Sequence, residues 1–147
     1  KNKINPYYPE AEFHIFSINK KNKKEFKKYK IFFHGRVKRS ILLSFYKKTT
    51  GMICLGYDET FCLNAIESMS TGVPVISLGK TALGELINNN KNGFIVKSLS
   101  NLDKSIINLI NLDNKQRIKL TKSTIKFCKK YHSTKIFQKW NNLILNK

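Results

Sequence analysis

Short runs of uninterrupted apolar residues, each followed by a stretch with helical spacing, constrain this chain more than any other feature. They include Gly51-Met-Ile-Cys-Leu55, Val73-Pro-Val-Ile-Ser77 and Phe94-Ile-Val96. A strand with one wet face alternates polar and apolar residues, so a strand that is apolar throughout must be covered on both faces. The segments between these runs carry apolar residues three and four apart, the period of an amphipathic helix. Strand and helix in alternation describe an α/β domain, a parallel sheet with helices on both faces.

The full order extends this pattern. Residues 13–18 and 31–34 read as β-favouring strands, the second closed by Gly35. Between them, 20–30 is Lys-rich, with Phe26 and Tyr29 three apart, and reads as a weakly amphipathic helix. A helix over 39–48 carries Ile41, Leu42, Phe45 and Tyr46. Helices are expected from about Phe61 to Ser70 and from Thr81 to Asn88, the latter ending in a turn that closes at Gly93. Three more follow: 101–112, then 115–131 with Ile118, Ile125 and Cys128, then a last one capped by Ser133. That last helix lines Ile136, Phe137, Trp140, Leu143 and Ile144 along one face, a stripe suited to a missing partner or to self-association.

Composition limits the function classes. Apolar residues make up 41% and charged residues 25% of 147, ordinary values for a globular domain. No apolar run approaches the ~20 residues of a membrane span, and the first residues lack the apolar core of a secretion signal. With no initiating Met, the chain reads as a fragment of something longer. Cys54, Cys62 and Cys128 form no CxxC pair, so no disulfide framework is expected and a reducing, cytoplasmic compartment fits. His14, His34 and His132 match no metal spacing and read as structural. The 28 Lys+Arg against 9 Asp+Glu give a formal charge of +19. Arg appears only at 36, 39 and 117, so coding bias toward Lys ranks first as the cause. Peripheral contact with an anionic membrane ranks second and nucleic acid third.

Against that charge, Asp58, Glu59 and Glu67 place three of nine acidic residues within ten positions. They fall after a strand end, where open parallel sheets bind ligands. Glu59 precedes the expected helix and Glu67 lies two turns inside it, and eight residues of helix would rise about 12 Å. Between them the amides of Thr60, Phe61, Cys62 and Leu63 would face an anion at the helix N-terminus. Hydroxyl acceptors at two ends and phosphate donors in the middle match a nucleotide sugar.

From Gly56 the chain reads GYDETFCLNAIESMSTGVPVISLGKTALGELINNNKNGFIV. This resembles the retaining GT-B glycosyltransferases, the glycosyl transferases group 1 or family 4 type. The shared pattern is two Glu eight apart (Glu59, Glu67), then Gly72, Pro74 and Val75, a Gly-rich loop, Glu85, and the Asn92–Gly93 turn before a strand. Upstream, Phe33-His-Gly-Arg-Val37 is similar to the strand end that abuts the nucleotide base. The similarity spans Tyr8 to Tyr131. Departures are Phe61 where Gly is frequent, then Cys62, Ser68 and Thr71.

The resemblance implies a Rossmann-like donor-binding domain over 1–131, the C-terminal half of a GT-B fold without its first strand–helix unit. Residues 132–147 would form a helix crossing to a missing N-terminal acceptor domain. The implied reaction is transfer of a sugar from a nucleotide-sugar donor to an unidentified acceptor with retention. Glu59 would orient the sugar as the catalytic residue and Glu67 would bind the ribose. The amides of Thr60, Phe61, Cys62 and Leu63 would face the diphosphate, Val37 would meet the base, and Lys80 would reach the phosphates. No metal or other cofactor is expected. Two alternatives stand beside this: a truncated nucleotide-binding remnant without catalysis, and a basic nucleic-acid-binding protein.

Overall fold

The computed structural model describes residues 4, 6–17, 26, 28–57, 60–132, 134–136 and 138. The chain forms two compact units, Lys1–Phe45 and Tyr46–Lys147. Among the described residues all hydrogen-bonded strand pairs are parallel, as expected, and they fall into a two-stranded and a three-stranded sheet.

In the first unit, β1 (Phe13–Phe16) pairs with β2 (Ile31–Gly35), and α1 (Arg39–Tyr46) follows, its last residue, Tyr46, belonging to the second unit. The register runs Ile15↔Phe33 and then Phe16↔Gly35, so the slip leaves His34 as the extra residue on β2. His14 and His34, far apart in sequence, come together here, with Nδ1 of the first 2.8 Å from Nε2 of the second. Phe16 stacks on His34 with centroids 4.9 Å apart, and Phe45 closes the group against both histidines. Most of the expected 20–30 helix lies outside the described residues.

In the second unit, β3 (Met52–Cys54), β4 (Val75–Ser77) and β5 (Gly93–Ile95) are ordered β3-β4-β5. Only the central strand is covered as the sequence pattern requires. On β3, an edge of this sheet, Ile53 is 36% exposed, against the expectation of a strand buried on both faces. β4 turns Val75 into one apolar cluster and Ile76 into another. The Val75 cluster gathers Ala65 and Met69 of α2 (Leu63–Ser70), Leu83 and Leu86 of α3 (Ala82–Leu86), and Cys128. The Ile76 cluster gathers Val96, Leu109 of α4 (Leu102–Ile110) and Leu120 of α5 (Asn114–Cys128). Short 3₁₀ turns at Leu99–Asn101 and Lys129–Tyr131 extend α4 and α5.

α5 starts with a capping box: the Asp113 carboxylate accepts from the Gln116 amide, and the Gln116 side chain accepts from the Asp113 amide. Its buried row is Leu120, Thr124 and Cys128, four apart. The expected row through Ile118 is therefore corrected, since Ile118 is 54% exposed. Thr124 escaped the reading because a hydroxyl scores as polar, yet it turns back to the Leu120 carbonyl at 2.8 Å and so can be buried.

Two residues of the signature hold the frame. Gly72 has φ +89, and a Cβ there would stand 2.7 Å from Thr121 Cγ2 on α5. Asn92, buried, accepts from the Asn88 amide at 2.7 Å and donates to the Leu86 carbonyl at 3.0 Å. Of the last helix, 134–136 and 138 are helical with Ile136 exposed. Ser133, Phe137, Trp140, Leu143 and Ile144 lie outside the described residues.

Candidate functional site

The paired strands β3 and β4 end side by side at Cys54 and Ser77. The loops that leave these ends both carry strained backbone at the next helix start. Cys62, the N-cap of α2, has φ 53 and ψ 66, and Thr81, the N-cap of α3, has φ 54 and ψ −141. Neither is glycine, and each such conformation costs on the order of 1–3 kcal/mol.

The second loop is pinned from below. Ser77 Oγ accepts from the Gly79 amide at 3.2 Å. Gly79 has φ +64, and a Cβ there would stand 2.7 Å from Ile95 Cγ2. Lys80 follows, exposed, with its Nζ 4.4 Å from the centre of the Tyr57 ring in the first loop. Lys80 and Tyr57 thus link the two loops across the strand ends.

The helix between the expected carboxylates begins later than its sequence suggests. α2 starts at Leu63, not Phe61, because the left-handed Cys62 interrupts the helical backbone. Cys62 is buried, with its Sγ 3.3 Å from Cys54 Sγ, and Phe61 sets its ring edge-on to Tyr131 with centroids 5.9 Å apart. The amides of Ala65 and Ile66 both donate to the Cys62 carbonyl, at 3.0 and 3.3 Å. The Cys62 side chain makes no capping bond, so the Leu63 and Asn64 amides have no acceptor within the helix. Of the four amides expected at the helix N-terminus, those of Cys62, the N-cap, and Leu63 are there. Thr60 and Phe61 precede the helix, and Asn64 joins. Between the two expected carboxylates only Leu63 to Glu67 is helical, a rise of about 6 Å, and Glu59, the other end of that separation, lies outside the described residues.

Glu67 is half-buried on α2, between the buried Ala65 and Ser68. Beside it stands Tyr46, whose hydroxyl donates to the Asn64 carbonyl at 3.4 Å. Burial first, then the charges of Glu67, Cys62 and Cys54, push the Tyr46 phenol from its usual 10 up to about 12. Tyr46 therefore stays a neutral donor beneath the start of α2. Glu59 and Asp58 lie outside the described residues. Val37 is half-buried, two residues past β2, in the first unit.

Sequence reasoning missed Tyr57, Asn64 and Tyr46. Tyr57 had a signal, an aromatic ring in an otherwise polar strand-end loop. The other two follow from where α2 begins. Among the described residues, no helix is long and apolar enough to cross a membrane.

Known proteins place this arrangement in a family. A family model described as Glycosyl transferases group 1 matches residues 16–127. Among curated proteins, none matches. The fold is similar to the C-terminal domain of a glycosyl transferase group 1 family protein, LpcC, from Francisella tularensis, at 24% identity and TM-score 0.70, covering 90% of this chain and 74% of that one. It is also similar to the pneumococcal O-GlcNAc transferase GtfA in complex with UDP and GlcNAc, at 16% identity and TM-score 0.79, covering 98% of this chain but 31% of that one. Staphylococcus aureus TarM, in complex with fondaparinux, alpha-GlcNAc-glycerol and UDP, gives 19% identity and TM-score 0.78 over 95% of this chain and 30% of that one. The chain thus spans about a third of these two longer enzymes and carries the Rossmann-like fold of a GT-B C-terminal domain. It belongs to the glycosyl transferases group 1 family.

Proposed function

We propose that this chain supplies the donor-binding half of a two-domain glycosyltransferase that moves a sugar from a nucleotide sugar to an acceptor with retention. The observation that carries the reading is the start of α2, where the Cys62 side chain makes no capping bond, set at the carboxyl edge of the sheet with Glu67 one turn further on and Lys80 on the adjoining loop. The Leu63 and Asn64 amides and the helix dipole suit a diphosphate, and Lys80 adds a cation. Glu67 accepts from the ribose hydroxyls. Glu59 orients the transferred sugar, and Val37 meets the base through its backbone. In this reading the leaving diphosphate is stabilised by protein donors without a metal. The acceptor is met by a second domain, with the last helix as the contact.

Family membership favours this reading over a basic nucleic-acid-binding protein. A cytoplasmic location with peripheral attachment to an anionic membrane belongs to the same proposal. It is supported by α5 and the 3₁₀ turn after it, where Lys115, Lys119, Lys122, Lys126 and Lys129 are all exposed and no residue of 114–132 is acidic.

Calorimetry with a panel of nucleoside diphosphates tests the site. Glu67→Ala should weaken binding by about 1.5–3 kcal/mol, the loss of a charge-assisted hydrogen bond. Glu59→Gln, in the enzyme joined to its acceptor domain, should lower kcat strongly and leave diphosphate affinity nearly unchanged. Equal affinity in wild type and Glu67→Ala removes Glu67 from the site.

A further inference from the structure

Cys54 ends β3 and Cys62 caps α2, with seven residues of chain between them. Their sulfurs stand 3.3 Å apart, within thiol hydrogen-bonding distance. A disulfide needs about 2.05 Å, so the two atoms must approach by little more than about 1 Å. We propose that Cys54 and Cys62 are a redox-active dithiol, a modification site that oxidises to an intramolecular disulfide and staples the two ends of this segment together.

The roles of the two sulfurs differ. Cys54 is partly exposed, and Cys62 is buried. With a small-molecule disulfide such as oxidised glutathione, the Cys54 thiolate attacks one sulfur and releases the first glutathione thiol. Cys62 then attacks the Cys54 sulfur of the mixed disulfide and releases the second. Two electrons pass from the protein pair to the glutathione disulfide, and the two thiol protons end on the two released glutathiones. Cys62 is thus the resolving thiol, close enough to outrun a second glutathione.

The third cysteine is a built-in reference. Cys128 is buried at the end of α5, and its thiol donates to the Ile66 carbonyl at 3.7 Å. Burial pushes it up to about 11, so it offers little thiolate to any oxidant. Oxidation is therefore selective for the 54–62 pair. It acts on the loop that holds Tyr57 and Phe61, and it needs no assumption about which ligand that loop serves.

The purified, reduced chain, equilibrated in glutathione buffers of stepped ratio and then alkylated, gives the test by intact-mass and peptide analysis. The expected product is two hydrogens lighter, carries no glutathione, joins the Cys54 and Cys62 peptides, and leaves Cys128 alkylated. Dithiothreitol reverses it, and Cys128→Ser behaves like wild type. Cys62→Ser should instead accumulate glutathione on Cys54, the trapped intermediate. The folded chain should form the bond at a ratio at least about tenfold less oxidising than the urea-unfolded chain, because folding has already brought the sulfurs together. A stable mixed disulfide on wild type, a bond to Cys128, or oxidation no easier in the folded than in the unfolded chain would each overturn the proposal.

Discussion

Lys80 Nζ lies 4.4 Å from the centre of the Tyr57 ring, which couples the loop after β4 to the loop after β3. An ammonium over an exposed ring contributes about 0.5–1 kcal/mol. Lys80→Ala, Tyr57→Ala and the double variant form a cycle that reads this term by urea unfolding. The double variant should be less destabilised than the sum of the singles by that amount. Strict additivity would show that the contact carries no energy.

Asn92 predicts a larger effect away from the site. Its side chain satisfies the Asn88 amide and the Leu86 carbonyl, and it is buried. Asn92→Ala removes both partners, and an unsatisfied buried group costs about 1–3 kcal/mol. The urea midpoint should fall accordingly with an unchanged slope. Asn92→Asp, which sets a buried carboxylate oxygen against the Leu86 carbonyl, should cost at least as much as Asn92→Ala.

Tyr46 makes stability depend on high pH. Its phenol is raised from 10 to about 12 by burial and then by Glu67, Cys62 and Cys54. The unfolded chain loses this proton first, so the stabilisation is complete below pH 10 and disappears as pH rises through about 12. Allowing for partial hydration of the hydroxyl, the window holds roughly 1–2 kcal/mol. The difference in unfolding free energy between wild type and Tyr46→Phe should shrink or change sign across that window. A flat difference would place the phenol in a more hydrated setting.

The lysine face of α5 predicts charge-dependent membrane binding. Each lysine near an anionic surface contributes on the order of 1 kcal/mol. The chain should sediment with vesicles containing anionic lipid, release them with salt, and ignore neutral vesicles. Lys119→Glu, Lys122→Glu and Lys126→Glu together should abolish sedimentation. Binding that ignores lipid charge leaves coding bias as the source of these lysines.

The sequence made the order of elements legible because β4 must be apolar on both faces and the helices repeat at three and four. It also made the parallel direction legible, since each strand is followed by a helix. Element starts were less legible. α2 was expected to begin at Phe61, and no pattern of apolar spacing reveals that Cys62 adopts a left-handed backbone. Thr124 and Asn92 were invisible as core residues because their burial depends on side-chain hydrogen bonds to nearby backbone groups, which apolar spacing does not register. The Cys54–Cys62 and His14–His34 contacts depend on how strand ends meet their neighbours, which spacing along one chain does not encode. Glu67 and Lys80 were singled out from the motif, and the neighbours Tyr57 and Tyr46 emerged only from the packing.

α5 sends Leu120 into the cluster behind Ile76 and Cys128 into the cluster behind Val75. Both sides of β4 therefore wait on the same late helix. As the chain leaves the ribosome, strands β3 to β5 are complete well before either side can be sealed, and the apolar central strand stays without its full cover until Cys128 has emerged. A nascent chain stalled before Asp113 should remain protease-sensitive, and one whose Tyr131 is carried clear of the exit tunnel by an added C-terminal linker should become resistant in a single step.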